Sequence, residues 1–197
     1  GKLAEAAADA RLVPANFVRN AEYTNSSQAR ENRMFNMTVT NRFISVTPAY
    51  QNLTVNGAAD PRVPAVNANV LGQDGATPYW RQTKITAVNS PLPIASYKES
   101  QLILAEASTD QAEKLAALNR VRALYSIAPL TGTVTDDIII EERRRGLFSE
   151  GQRYTDMLRK KLPFQTGTNR KGQVYSDMTC IPLPDVETLN NPNFKGS

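Results

Sequence analysis

The chain contains no histidine. Imidazole is the usual proton shuttle near neutral pH and the commonest zinc ligand. Its absence removes Ser-His-Asp nucleophile activation and most metallohydrolase chemistry. Cysteine is nearly as scarce. Cys180 stands alone, which excludes an internal disulfide framework and any multi-thiolate metal site, and its expected role is that of a small residue packed beside Ile181. Long apolar runs are missing as well. Runs such as "LILA" at residues 102–105 fall far short of the roughly 20 residues that cross a bilayer as a helix. No secretory leader or lipid-attachment cysteine stands at the start. Because the chain opens on Gly1-Lys2 rather than Met, a targeting segment ahead of it is expected to have been removed.

What is present fits a single sizeable domain. The 197 residues are 41% hydrophobic and 21% charged, ordinary values for a soluble globular chain. The net charge of +4 attracts phosphates only weakly and does not by itself call for nucleic acid.

Helical patterns occupy both ends of a long irregular middle. Residues 2–13, "KLAEAAADARLV", carry Ala and Leu at helical spacing and meet Pro14, which cannot continue a helix. Leu3, Ala6, Ala7, Ala10 and Val13 form a stripe there that needs a partner. An antiparallel helix before residue 1 is expected to supply it, making the chain the C-terminal part of a longer protein with an apolar patch near its first helix. Residues 15–95 are rich in Pro and Asn, with turn signals such as "VNGAADPR" and "LGQDGATP". Short extended pieces are allowed at "MTVTNRFISV" and "RQTKITAV". Helix returns over residues 96–161. Ser96 with Glu99, and Asp110 with Glu113, have capping-box spacing, and Leu115, Leu118, Val121 and Leu124 share a face. A further helix is expected from Thr135, with a stop or kink at Gly151. The expected fold is mainly α: tetratricopeptide-like helical hairpins (an α/α superhelix) with long irregular loops, at most a little short strand, and an extended tail over residues 162–197.

The densest charge lies in residues 141–161, "EERRRGLFSEGQRYTDMLRKK", with seven cationic and four acidic side chains. A grip on an anionic polymer, a pair of catalytic carboxylates, a solvated face and an ion-pair lattice all begin from such a composition. Neighbours on a helix are three or four residues apart, so Glu141 faces Arg144 and Arg145, and Glu142 faces Arg145. Glu150, Arg153, Asp156 and Arg159 follow at steps of three. This order neutralises charge where a phosphate-tracking helix would leave a bare cationic stripe. Adjacent Glu141 and Glu142 also project in different directions, unlike the facing carboxyls of a glycosidase. The apolar residues Leu147, Phe148, Met157 and Leu158 interleave with the charges, which favours a structural lattice and assigns Arg153 to scaffold.

These residues carry a resemblance. "ERRRGLFSEGQRYTDMLR" resembles the C-terminal signature of the SusD/RagB family, at Glu142-Arg143, Leu147, Glu150-Gly151, Arg153, Asp156 and Arg159. Three more pieces agree in order. "ADPRV" is similar to the family's Asp-Pro-Arg turn at residues 60–62. "SYKESQLILAEAS" with "ALNRVRAL" resembles its alanine-rich helix and following Asn-x-x-Arg helix, here Asn119 and Arg122. "IPLPDVETLNNPN" resembles its closing segment. Gly146 stands where the family has Glu, and Ser149 where it has an aromatic residue. The resemblance implies one SusD/RagB-like domain over residues 1–197. It further implies a surface lipoprotein of the outer membrane, lipid-anchored in its full length, that binds glycans or related nutrients without catalysis. Its partner would be a SusC-like TonB-dependent transporter, and neither cofactor, metal nor nucleic acid is implied. A generic helical-repeat interaction scaffold, and a glycan-processing enzyme, are the alternatives.

Sugar rings commonly rest on aromatic faces while amides and Arg take their hydroxyls. "ATPYWRQTK" contains the only tryptophan, Trp80, between Tyr79 and Arg81. These three residues and Tyr50 of "TPAYQN" are the candidate ligand-binding residues, although Trp80 and Tyr50 also suit packing on the helical core.

Overall fold

Ser96 opens the helix on which the others pack. In a computed structural model that describes residues 1–175 and 179, its hydroxyl accepts the Glu99 N–H at 3.2 Å and starts α3 (Tyr97–Ala107). Leu102, Leu104 and Ala105 are fully buried along it. Three further helices contact this one: α1 (Leu3–Arg11), α4 (Gln111–Ala123) and α5 (Asp136–Gly146). Asp110 caps α4 by accepting the Ala112 N–H at 3.0 Å, and Thr135 caps α5 by accepting the Ile138 N–H at 3.4 Å. Glu113, three residues beyond Asp110, turns instead to α1. Arg11 donates to it twice, at 2.7 and 2.8 Å, which ties the first helix to the fourth.

The apolar core joins Ala7 and Ala10 of α1 to Leu102, Leu118, Val121, Ile139 and Leu147. Small residues on α1 let its backbone lie close to α3. Outside that seam Leu3 is 56% exposed, and Val13 and Phe17 border an apolar hollow against Ile103.

The fold class differs from the expectation of a mainly α chain. Helix accounts for 38% and strand for 15%, so the architecture is mixed α/β. The strand comes from residues 15–95, in three two-stranded antiparallel sheets among the described residues. β1 (Val18–Ala21) pairs with β6 (Leu92–Ser96), drawing the two ends of this middle segment together at the entrance to α3. β2 (Thr54–Val55) and β3 (Ala58–Ala59) close over Asn56-Gly57, both at positive φ, a tight hairpin turn. β4 (Ala65–Leu71) pairs with β5 (Pro78–Gln82). β4 reads "AVNANVL", with Asn and Ala in place of a β-branched run, and most of it is exposed. Little in such a sequence announces a strand, and backbone pairing to β5 makes it one.

The reverse occurs at "MTVTNRFISV". Asn32 accepts the N–H groups of Met34 and Phe35 and starts α2 (Arg33–Phe35), which continues as a wide helical turn over Asn36–Thr40. An Asn cap thus overrides the β propensity of the residues that follow.

The chain divides into two units, Gly1–Asp156 and Met157–Ser197, and the features above belong to the first. In the second, Thr168 bridges Val174 around a turn in which the Asn169 carboxamide accepts from Lys171 and Gln173. The expectations for Cys180 and for "IPLPDVETLNNPN" lie outside the described residues. No helix among the described residues is long and apolar enough to cross a membrane.

Gly146 ends α5 at a tight spot. A Cβ built there would meet Leu102 at 3.4 Å and Val121 at 3.7 Å, ordinary contact distances. Gly146→Ala should therefore stabilise the protein by about 0.5–1 kcal/mol through reduced unfolded-state freedom. Gly146→Glu, which would press a carboxylate onto the same apolar wall, should lower the melting temperature. Thermal denaturation of the two variants checks both signs.

Candidate functional site

The charged stretch folds into a chain of alternating ions that runs between distant segments. Glu141 accepts from Arg144 at 2.6 and 2.7 Å and from Arg145 at 2.6 Å, the spacing read from the helix. Arg145 then reaches Asp60 at 2.9 Å, and Asp60 takes two bonds from Arg62 at 2.9 and 2.8 Å. Arg62 continues to Glu142 at 2.5 Å, and Glu142 also accepts from Arg122 at 2.9 Å. Glu142 thus faces Arg62 and Arg122, where helical spacing suggested Arg145. It lies on the buried side of α5, and its partners arrive from the 60–62 turn and from α4.

The remaining signature residues diverge because the helix breaks after Gly146. Ser149 and Gly151 take positive φ, and α6 (Gln152–Arg159) starts afresh. Glu150, turned inward, accepts from both Lys84 and Lys98. Arg143, buried, donates to Asp156 at 3.1 and 3.0 Å. Arg153 has no ion pair among the described residues, and its Nη1 is buried without a hydrogen-bond partner. Arg159 falls in the second unit.

This ion chain positions a groove. Arg144 donates to the Ala49 carbonyl at 2.6 Å and lies 4.7 Å from the Tyr50 ring centroid, while Arg145 donates to the Thr54 carbonyl at 2.8 Å. Thr47 caps the short helical turn Pro48–Tyr50. Tyr50 is thereby set against Phe148, with ring centroids 5.3 Å apart and planes tilted by 39°. Beside them opens a hollow of about 330 Å³, walled by Met34, Ile44, Val46, Leu147 and the two rings, with Arg153 and Tyr154 at its edge. Tyr154 is 47% exposed. Burial raises the pKa of the Tyr50 phenol, outweighing the opposite pull of Arg153 and Arg144, so it is a neutral hydroxyl at physiological pH.

The other sequence candidates sit around this groove. Tyr79 is buried, and its hydroxyl donates to the Thr38 carbonyl beneath the groove wall. Trp80 is half-buried and lies outside the groove's lining, and its backbone bonds to Ser45 and Val46. Arg81 is exposed and borders a small separate hollow with Phe35 and Val39. Only Tyr50 of the four lines the groove. Phe148, Arg153 and Tyr154 were not singled out as ligand residues. The surplus of cations over carboxylates in residues 141–161 and the aromatic residues between them were the available signal.

A larger hollow of about 680 Å³ lies between α1 and the α3–α4 turn. It has no aromatic wall, and its charges pair among themselves, Arg11 with Glu113 and Lys2 with Glu5. The aromatic groove is the better ligand site. Catalysis by the charged stretch meets a direct obstacle. Burial alone would raise Glu141, but hydrogen bonds from Arg144 and Arg145 prevail and hold it at about 2, so it carries no proton to donate near neutrality.

An aromatic groove with polar groups in its lining has the make-up of a ligand site. The particular class follows from the sequence as a whole: residues 13–193 match the SusD family model, and the chain belongs to that family. Its members are generally nutrient- or glycan-binding outer-membrane proteins that act without catalysis. Neither a curated protein nor a solved structure matches the chain.

The ion chain makes stability depend on acid. Burial would raise Asp60, yet the bonds from Arg62 and Arg145 hold it at about 2, as those from Arg144 and Arg145 hold Glu141. Unfolded, these groups titrate near about 4. A depressed carboxylate contributes stability that is complete above the unfolded value and is lost as pH falls through the folded one. The melting temperature should drop steeply from about pH 4 toward pH 2. Asp60→Asn should cost about 1–3 kcal/mol at pH 7, since Arg62 and Arg145 each lose one of their two carboxylate partners and keep Glu142 and Glu141 respectively, and should flatten that acid limb. Thermal melts across the range check both.

Proposed function

We propose that the protein binds glycans at the cell surface and passes them to a SusC-like TonB-dependent transporter, itself doing no chemistry on them. In this reading the full-length protein is a lipoprotein of the outer membrane. Family membership supports the nutrient-binding class, and the observation that carries the site is the groove between Tyr50, Phe148 and Tyr154. It offers what a sugar needs: apolar and aromatic surface for the ring's C–H face, and a cationic donor and phenol at the rim for its hydroxyls. Trp80 and Arg81 lie on β5 outside the groove and remain candidates for a longer oligosaccharide. Tyr79 supports the groove wall from below.

The transporter half of the reading has its own test. Co-purification with a SusC-like barrel from the outer membrane supports it, and a protein recovered free of any such barrel counts against it. For the site, a glycan panel screened by affinity electrophoresis should identify a retained polysaccharide. Tyr154→Ala should weaken that retention about tenfold, the loss of one stacked aromatic contact, with little change in melting temperature. Retention that is indifferent to Tyr154→Ala and Tyr50→Ala together would move binding elsewhere on the protein.

A further inference from the structure

We propose that the sugar taken by this groove is acidic, a hexuronic acid unit whose carboxylate is bound by Arg153; this rests on the glycan reading above. Every carboxylate that helical spacing offers to Arg153 is already engaged. Glu150, three residues before it, is held by Lys84 and Lys98. Asp156, three residues after it, is held by Arg143 through two bonds. Glu141 is shared between Arg144 and Arg145. Arg153 therefore brings to the groove a positive charge that no described side chain cancels, and a buried Nη1 that bonds to nothing.

A guanidinium in that state is costly unless something accepts from it. Ser45 and Gln82, which also line the groove, do not. Ser45 donates to the Pro78 carbonyl, and the Gln82 amide is satisfied by Thr38 and by both backbone groups of Ile85. Tyr50 stays protonated and so brings no competing anion. Met34, Ile44 and Val46 give the groove apolar lining. A hexuronate matches this division. Its carboxylate would meet the guanidinium of Arg153 once the side chain turns its buried Nη1 toward the groove, and the carbon face of its ring would lie against Tyr50 and Tyr154. A neutral hexose would leave the charge unmatched and gain only the aromatic contact.

The experiment compares trigalacturonate with its methyl ester, two probes of the same ring and length that differ in charge. Calorimetric titration of the full chain should give at least about tenfold tighter binding for the acid, the effect of a charge-assisted bond. That preference should shrink as salt rises. Arg153→Gln should bring the acid down to the level of the ester, and Arg153→Lys should restore part of the difference. Melting temperatures of both variants separate a folding defect from a binding one. If Arg153→Gln does not fold, the wild-type preference together with Arg153→Lys decides.

Equal affinity for acid and ester overturns the inference. So does an Arg153→Gln variant that weakens both probes in the same proportion, since that marks a structural role. If neither probe binds while a neutral glycan binds through Tyr154, the acidic specificity falls and the glycan reading stands. If no glycan binds at all, both fall.

Discussion

Seven side chains of alternating sign, from Arg144 through Glu141, Arg145, Asp60, Arg62 and Glu142 to Arg122, hold two differently made parts of the protein together. One part is a helical core whose apolar seams close by themselves. The other is the segment of residues 15–95, rich in Pro and Asn, which buries Val63, Tyr79 and Ile85 but joins α5 and, through Glu142, α4 by charged groups. Arg and carboxylate groups do the joining, with the fork geometry of guanidinium fixing direction as well as distance. Arg62 is 2% exposed. Ions that deep are tolerable because each is paired, Asp60, Arg62 and Glu142 on two sides.

Function is a consequence of the same join. Arg144 and Arg145 lie on α5 beside Glu141, yet their outer nitrogens bond to the carbonyls of Ala49 and Thr54. The helix therefore fixes the loop that carries Tyr50, and Tyr50 completes a groove whose other wall follows directly from the end of α5. Ser149 stands at positive φ in the break between α5 and α6. Its small side chain lines the hollow. Gly146 faces apolar neighbours, Leu102 and Val121, against which a charged side chain would be set.

The helices were legible because their signals are local. Ser96, Asp110 and Thr135 cap as their positions suggest, and the Glu141 pairs with Arg144 and Arg145 follow from helical spacing. Pairs that close over long separations were not legible. Nothing within a few residues of Glu142 indicates Arg62, eighty positions earlier. The strands escaped for a related reason. β4 is a polar, Asn-bearing segment made extended by its partner, and the helical turn near Met34 is set by a single Asn cap. Of the ligand candidates, Tyr50 reached the groove because an aromatic residue in a Pro turn is presented outward. Tyr79, next to the visible landmark Trp80, was drawn into the wall by strand alternation.

Backbone hydrogen exchange in Arg145→Ala, compared with the unaltered protein, tests most directly whether the ion chain holds the segment on the helices. The amides of Tyr50, Asp60 and Val63 are each hydrogen-bonded within that segment, to Thr47, Leu53 and Asp60. If the ion chain holds it in place, these amides should exchange faster in the variant while those of α3 and α4 keep their protection. Unchanged exchange at Tyr50, Asp60 and Val63, or an equal loss of protection throughout the helices, would contradict the account.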